Sequence, residues 1–135
     1  MFEITVQSEF AAAHAITIAG VREPIHGHNW RVEVTLAGPT LDADGLLCDF
    51  HTVQGALREI IAPFHNRNLN DVTPFADAGG RRGLNPSAEN VARHIADEMH
   101  ERVGMALAPA AWIARVSVTE APGCLATYRP PVPTP

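Results

Sequence analysis

His26 and His28 flank a single glycine, and His14 lies twelve residues upstream of His26. In an extended strand, residues two apart point to the same face, so His26-Gly27-His28 can aim both imidazoles at one point. The alternating run that ends in Phe10-Ala11-Ala12-Ala13-His14 could bring a third imidazole to the same place. Three neutral imidazoles with an open fourth position are the ligand set of a catalytic zinc, not a structural one. His26 and His28 also share the parity of Trp30, Val32 and Val34, which read as an inward-facing apolar row. Imidazoles placed there need partners, and one Zn2+ would satisfy several at once. His51, His94 and His100 sit on helix-like stretches where nothing else converges, and they read as ordinary surface or hydrogen-bonded residues.

Glu120 is the second informative residue. Ala114, Val116, Val118 and Glu120 share one face of a late strand by parity. A carboxylate at the end of an apolar stripe is costly unless it meets a donor. Either the strand frays and Glu120 is solvated, or Glu120 forms the floor of a pocket and accepts hydrogen bonds from a ligand with paired N–H donors. Parity does not choose between the two.

These residues must be carried by regular elements. Phe2, Ile4, Val6 and Phe10 alternate with Glu3, Thr5, Gln7 and Glu9 as in a half-buried strand. Residues 15–25, with Gly20 and Pro24, read as a loop, and a second strand starts at the histidine pair and ends at Gly38-Pro39. Asp42-Ala43-Asp44-Gly45 is a turn signal before a short strand expected at 46–48. Asp49 is suited to cap a helix with Val53, Leu57, Ile60, Ile61 and Phe64 on one side. The polar, glycine-rich stretch 65–84 reads as a long loop. Asn85 is expected to cap a second helix, with Pro86 at its first position and Val91, Ile95, Met99 and Val103 along its apolar side. Two strands, about 111–120 and 124–129, follow. The order is ββααββ, which implies an α+β domain: a four-stranded antiparallel sheet with two helices on one face.

The totals agree with a single domain over 1–129 and a loose, proline-rich tail at 130–135. Hydrophobic residues make up 46% and charged residues 19% of the 135, as in an ordinary globular protein. A net charge of -5 with no basic block argues against a nucleic-acid partner. No apolar run is long enough to span a bilayer, and no signal sequence precedes the first strand, so a cytoplasmic location is expected. Cys48 and Cys124 have no CxxC spacing and read as two reduced thiols.

Several segments fall in an order seen in one family: Phe10-Ala11-Ala12-Ala13-His14, His26-Gly27-His28-Asn29-Trp30, Asp49-Phe50, Leu69-Asn70-Asp71, Asn85-Pro86-Ser87-Ala88-Glu89 and Val118-Thr119-Glu120. From about residue 4 to 128 the sequence resembles the 6-pyruvoyltetrahydropterin synthase and 6-carboxytetrahydropterin synthase family. The resemblance implies the tunnelling fold, in which trimers pair into a homohexamer with sites at subunit interfaces. It implies that His14, His26 and His28 bind zinc and that Glu120 anchors a pterin ring. The implied substrate is the small molecule 7,8-dihydroneopterin triphosphate, with zinc acting as a Lewis acid on its side chain.

The sequence also departs from that pattern. The family's cysteine base, shortly before the HGH, is missing from Val21-Arg22-Glu23-Pro24-Ile25. Glu23, three residues before His26, resembles the type III variants, which split the substrate's side chain to give 6-hydroxymethyl-dihydropterin for folate synthesis. A carboxylate near a metal-bound substrate can serve as a general base; otherwise Glu23 is one more loop charge. The family's Asp-His relay is replaced by His65-Asn66. Asn66 cannot relay a proton, which leaves His65 as either a substitute acid or a surface histidine. Arg81 and Arg82 suit phosphate oxygens but fit a solvated loop better. The outcome is then a lyase reaction, either cleavage of the side chain or the 6-carboxytetrahydropterin reaction on the queuosine path. The alternative is a non-catalytic pterin or purine binder that kept the metal and lost the acid–base residues. A cupin also uses an HxH strand pair, but the two amphipathic helices argue against one.

Overall fold

The two long alternating runs form strands that pair along their whole length. In the computed structural model, which describes residues 1–134, β1 (Phe2–His14) and β4 (His26–Gly38) are antiparallel. Phe2 stands opposite Gly38 and His14 opposite His26. Between them, β2 (Thr17–Ile18) and β3 (Val21–Arg22) form a small separate hairpin where the sequence pattern suggests only a loop. Its turn residues Ala19 and Gly20 have φ of 49° and 80°. A two-residue hairpin with positive φ at both positions is normally marked by Asn-Gly or Asp-Gly. Alanine at the first position hides that signal.

After β4 the backbone turns back through residues 39–49. The strand expected at 46–48 does not form, because Asp42 curls the segment locally. Its Oδ1 accepts from Asp44 N and Leu46 N, both at 2.9 Å. Leu47 and Cys48 are nonetheless buried. The next element is α1 (Phe50–Ile61), capped as expected by Asp49, whose side chain accepts from His51 N. The stretch read as a loop at 65–84 contains a short strand, β5 (Arg67–Asn68), and a 3₁₀ turn over Leu69–Asp71. Then comes α2 (Ala88–Val103), capped by Ser87 and not by Asn85. Asn85 is unavailable as a cap because its side-chain amide is bonded to the backbone of Thr17.

A last hairpin, β6 (Trp112–Ala121) and β7 (Cys124–Tyr128), completes the sheet in the order β5-β1-β4-β6-β7. The four expected antiparallel strands are therefore joined by a fifth, β5, which pairs parallel with Ala12 and Ala13 at one edge. Both helices lie on one face. Val53, Leu57, Ile60 and Ile61 of α1 and Val91, Ile95 and Met99 of α2 cluster with Phe10, Trp30, Val32, Val34, Val116 and Val118 of the sheet. β1 and β4 supply this core from their even positions alone, as the pleat requires, whereas β6 changes parity from Ile113 to Val116 and Val118 across the register shift opposite Thr35 and Leu36. Pro130, Pro131 and Pro133 border a groove of about 350 Å³ with Trp112 and Tyr128; Pro135 lies outside the described residues. Among the described residues, no helix is long and apolar enough to cross a membrane.

Candidate functional site

The core parity of β1 and β4 continues past the last apolar residues into histidine. His14 pairs directly with His26 across the two strands, and His28 stands opposite Ala12, one pleat further along the same face. Directly opposed side chains have Cβ atoms about 5 Å apart, so three imidazoles converge without any loop having to place them. Their ring centroids are 4.8 Å (His14–His26), 5.2 Å (His14–His28) and 4.7 Å (His26–His28) apart. Trp30 forms the floor, its ring 4.8 Å from that of His14 and its Nε1 donating to Ala12 O.

Glu120 joins them from β6. Thr119 still pairs with Arg31 of β4, but the register between β6 and β7 slips between Thr119 and Ala121. The resulting bulge sits at Glu120, a device that re-aims a side chain near functional sites. Glu120 Oε1 comes within 2.7 Å of His14 Nε2 and 3.2 Å of His28 Nε2. One ligand atom from each of His14, His26, His28 and Glu120 lies within 4.8 Å of the others. The sequence leaves Glu120 either solvated or pocket-lining; the fold puts it at the histidines.

The donor set fits a metal ion. His14 Nδ1 lies 2.8 Å from the carbonyl of Pro86, and His26 Nδ1 lies 3.0 Å from that of Pro24. A carbonyl accepts only from a protonated nitrogen, so Nδ1–H is fixed on both rings, and in the neutral ring Nε2 is left to present a lone pair. His14 Nε2 and His28 Nε2 are buried with no hydrogen-bond partner, for the nearby Glu120 oxygen does not meet hydrogen-bonding geometry. Buried orphan acceptors are rare, and an ion held between them satisfies both. Burial pushes the pKa of His28 below its ordinary value, and the neighbouring His14 and His26 add to the lowering while Glu120 opposes it. A neutral ring at neutral pH is the form that ligates.

Glu23 stands at the rim. Its backbone N donates to Ile16 O at 3.0 Å, and its Oε1 accepts from Ile16 N at 3.1 Å. The same Oε1 is 3.7 Å from His26 Nδ1. The β2–β3 hairpin therefore places Glu23 beside the cluster. His65 is not brought there. It is exposed, and its Nδ1 accepts from Ala11 N at 3.1 Å near the β5 edge.

Two asparagines absent from the sequence-based candidates hold the site's outer wall. Asn70 Oδ1 accepts from Ala15 N at 2.8 Å, and its Nδ2 donates to Ala15 O at 2.9 Å. Asn85 treats Thr17 in the same way, at 2.9 and 3.0 Å. Each side-chain amide thus imitates a strand partner for the segment leaving His14. Asn85 also adjoins Pro86, whose carbonyl orients His14. Asparagine within a loop stretch is a weak signal, since the same residue serves many turns.

A cavity of about 400 Å³ opens from the cluster, lined by His14, Ile16, Ser87, Glu89, Glu120 and Cys124 among others. Cys48 is buried away from it, and burial raises its thiol pKa. Arg82 and Arg22 line a separate cavity of about 380 Å³, whereas Arg81 is exposed on its loop.

Known proteins share this arrangement of elements. The protein is 30% identical over 131 residues to 6-carboxy-5,6,7,8-tetrahydropterin synthase of Bacillus subtilis, covering 96% of this chain and 86% of that one. Its fold matches the 6-pyruvoyl tetrahydropterin synthase of Caenorhabditis elegans with a TM-score of 0.74 at 19% identity, covering 96% of each. The enzyme of the same name from Plasmodium vivax gives a TM-score of 0.74 at 20% identity, covering 94% of this chain and 96% of that one. The sequence profile of 6-pyruvoyl tetrahydropterin synthase matches residues 3–131. With nearly all of its length accounted for in sequence and in fold, the protein belongs to the 6-pyruvoyl tetrahydropterin synthase family.

Proposed function

We propose that this protein is a zinc-dependent pterin lyase acting on the side chain of 7,8-dihydroneopterin triphosphate or a close relative. The observation that carries the reading is the convergence of His14, His26, His28 and Glu120, of which His14 and Glu120 line a cavity of about 400 Å³. That volume lies in the range of small-molecule sites. His14, His26 and His28 would hold the ion, which when bound supplies Lewis acidity toward the C–H and O–H groups of the substrate's side chain. Glu120 accepts hydrogen bonds from the paired N–H donors of the pterin ring, a charge-assisted contact that fixes the ring's orientation.

Glu23 takes the proton-handling role. Its Oε1 is held by Ile16 N, which orients the carboxylate at the rim and leaves the other oxygen to take up a proton. A glutamate is named as a catalytic residue in the Plasmodium vivax enzyme, whose structure is known with that residue replaced by alanine and by cysteine. The resemblance of Glu23 to the glutamate of the side-chain-cleaving variants points to cleavage of the folate type, with the 6-carboxytetrahydropterin reaction of the queuosine type as the other outcome. His65 is apart from the cluster of its own subunit, so in this reading it acts as an acid across a subunit boundary. A hexamer of paired trimers with interfacial sites supplies that arrangement, and a reduced cytoplasmic setting suits the two free thiols.

The test is incubation of zinc-loaded protein with 7,8-dihydroneopterin triphosphate and identification of products by mass. A 6-hydroxymethyl product that disappears in Glu23→Gln supports the reading. Tight pterin binding with no turnover of any dihydropterin would instead identify a binder that kept its metal, the reading that the missing cysteine and relay histidine favour.

A further inference from the structure

We infer that Glu120 has two stations: in the pterin-free protein its carboxylate closes the fourth position of the metal cluster, and on ligand entry it leaves that position for the pterin ring. This rests on the pterin reading above for its second half only.

Three observations carry it. The first is distance. Tetrahedral ligands with bonds of about 2.0–2.1 Å to a shared ion stand about 3.3 Å from one another. Glu120 Oε1 is 3.2 Å from His28 Nε2, a ligand's separation, and 2.7 Å from His14 Nε2, closer still; neither is the separation of an anchor at the far side of a bound bicycle.

The second is proton placement. The carbonyls of Pro86 and Pro24 claim the Nδ1 protons of His14 and His26. In the neutral ring His14 Nε2 therefore has no proton to donate to Glu120, and the contact lacks hydrogen-bond geometry as well. A carboxylate oxygen facing the lone pair of a neutral His14 ring at 2.7 Å is repulsive by itself. A cation among them turns every term attractive.

The third is freedom to move. Glu120 sits on the bulge where β6 slips against β7, so it has no cross-strand partner in the register on that side. Its side chain is one-quarter exposed, whereas that of His14 is sealed. It also lines the cavity together with Gly123, Cys124 and Leu125. Rotation of its side chain suffices to exchange the cluster for the cavity. Ring binding and exposure of the fourth position then become one event, and a water or substrate oxygen is admitted to the metal only when a pterin is in place.

The probe is Co2+, whose visible absorption reports ligand number and type. Wild type, Glu120→Gln and Glu120→Ala are stripped with chelator, confirmed folded by circular dichroism and titrated with Co2+. Loss of the carboxylate should weaken Co2+ binding about tenfold or more and alter the absorption bands. Saturating 6-methyl-7,8-dihydropterin, which has the ring but no side-chain hydroxyls, should shift the wild-type spectrum toward that of Glu120→Ala. Identical Co2+ spectra and affinities in wild type and both variants overturn the ligand station. A wild-type spectrum unmoved by bound pterin overturns the exchange. Pterin binding is followed separately by fluorescence quenching: its absence from wild type sinks the pterin reading and the exchange with it, while the comparison of wild type with Glu120→Ala still decides the ligand station.

Discussion

Replacing Asn70 by alanine should loosen the whole wall behind the histidines, and the size of the effect follows from the contacts it makes. Its amide accepts from Ala15 N at 2.8 Å and donates to Ala15 O at 2.9 Å. Ala15 is fully buried, so neither backbone group can turn to water once the side chain is gone. An orphaned buried N–H costs about 1–3 kcal/mol and a lost neutral hydrogen bond about 1 kcal/mol, giving about 3 kcal/mol for the pair. For a domain of 135 residues, each kcal/mol lowers Tm by roughly 3–5 °C, so the expected fall is about 10 °C. Asn70→Asp keeps the acceptor and loses the donor, and should fall roughly half as far. Ala15 directly follows His14, so Asn70→Ala should also weaken Zn2+ binding, measured by competition with a chromogenic chelator. Thermal melting followed by circular dichroism, with and without Zn2+, reads both effects. A Tm within about 2 °C of wild type, with unchanged Zn2+ affinity, would show that the paired bonds to Ala15 do not hold the site together.

Other outcomes follow from the same geometry. Ala19→Asn relieves an alanine held at φ 49° and completes an Asn-Gly turn, so it should stabilise the protein by about 0.5–1 kcal/mol in urea unfolding; a loss of stability would mean that Ala19 makes a contact of its own. Gly83→Ala would drive its Cβ into the backbone carbonyl of Phe75, and since backbone meets backbone there, the loop must shift and Tm must drop. Leu57→Ala, at a fully buried site on α1, should cost about 2–5 kcal/mol in denaturant unfolding, the usual range for a large-to-small core change. His94 packs beside Phe64 and Phe75, and burial lowers its pKa, with Glu98 and Asp97 opposing. Its folded pKa therefore lies below the unfolded value of about 6.5, so the unfolded state takes up the proton first. The stability at stake is complete above that pH and is lost as pH falls from it toward the folded pKa. His94→Gln should lose less stability than wild type between pH 7.5 and 5.5, and parallel losses would refute the assignment.

The candidate metal site is legible in the sequence because its grammar is local. His26 and His28 obey strand alternation, and strand parity also places Glu120 on the core face, so period-2 reasoning carries three of the four groups. The β1 partner His14 is readable because the β1 alternation runs to the strand's end. The two helices follow from apolar spacing and, for the first, from the Asp49 cap, although the spacing places them at 50–64 and 86–103 and the structure ends the first at Ile61 and starts the second at Ala88. Local pattern misses backbone behaviour governed by distant partners. Ser87 caps α2 because Thr17, remote in sequence, occupies the Asn85 amide. The β2–β3 hairpin forms on an alanine that advertises no turn, and β5 exists because β1 offers an open edge at Ala12 and Ala13.

Residue type and alternation thus suffice to specify which atoms can bind a metal, since a strand's two-residue period is imposed by the backbone itself. Whether Glu120 stands in solvent or among the histidines depends on the register of β6 against β4 and on the bulge against β7. Register is set by long-range pairing and core packing, which local patterns do not encode. The position of Glu23 is decided in the same way, by Ile16 and by a hairpin whose Thr17 is held by the distant Asn85 side chain.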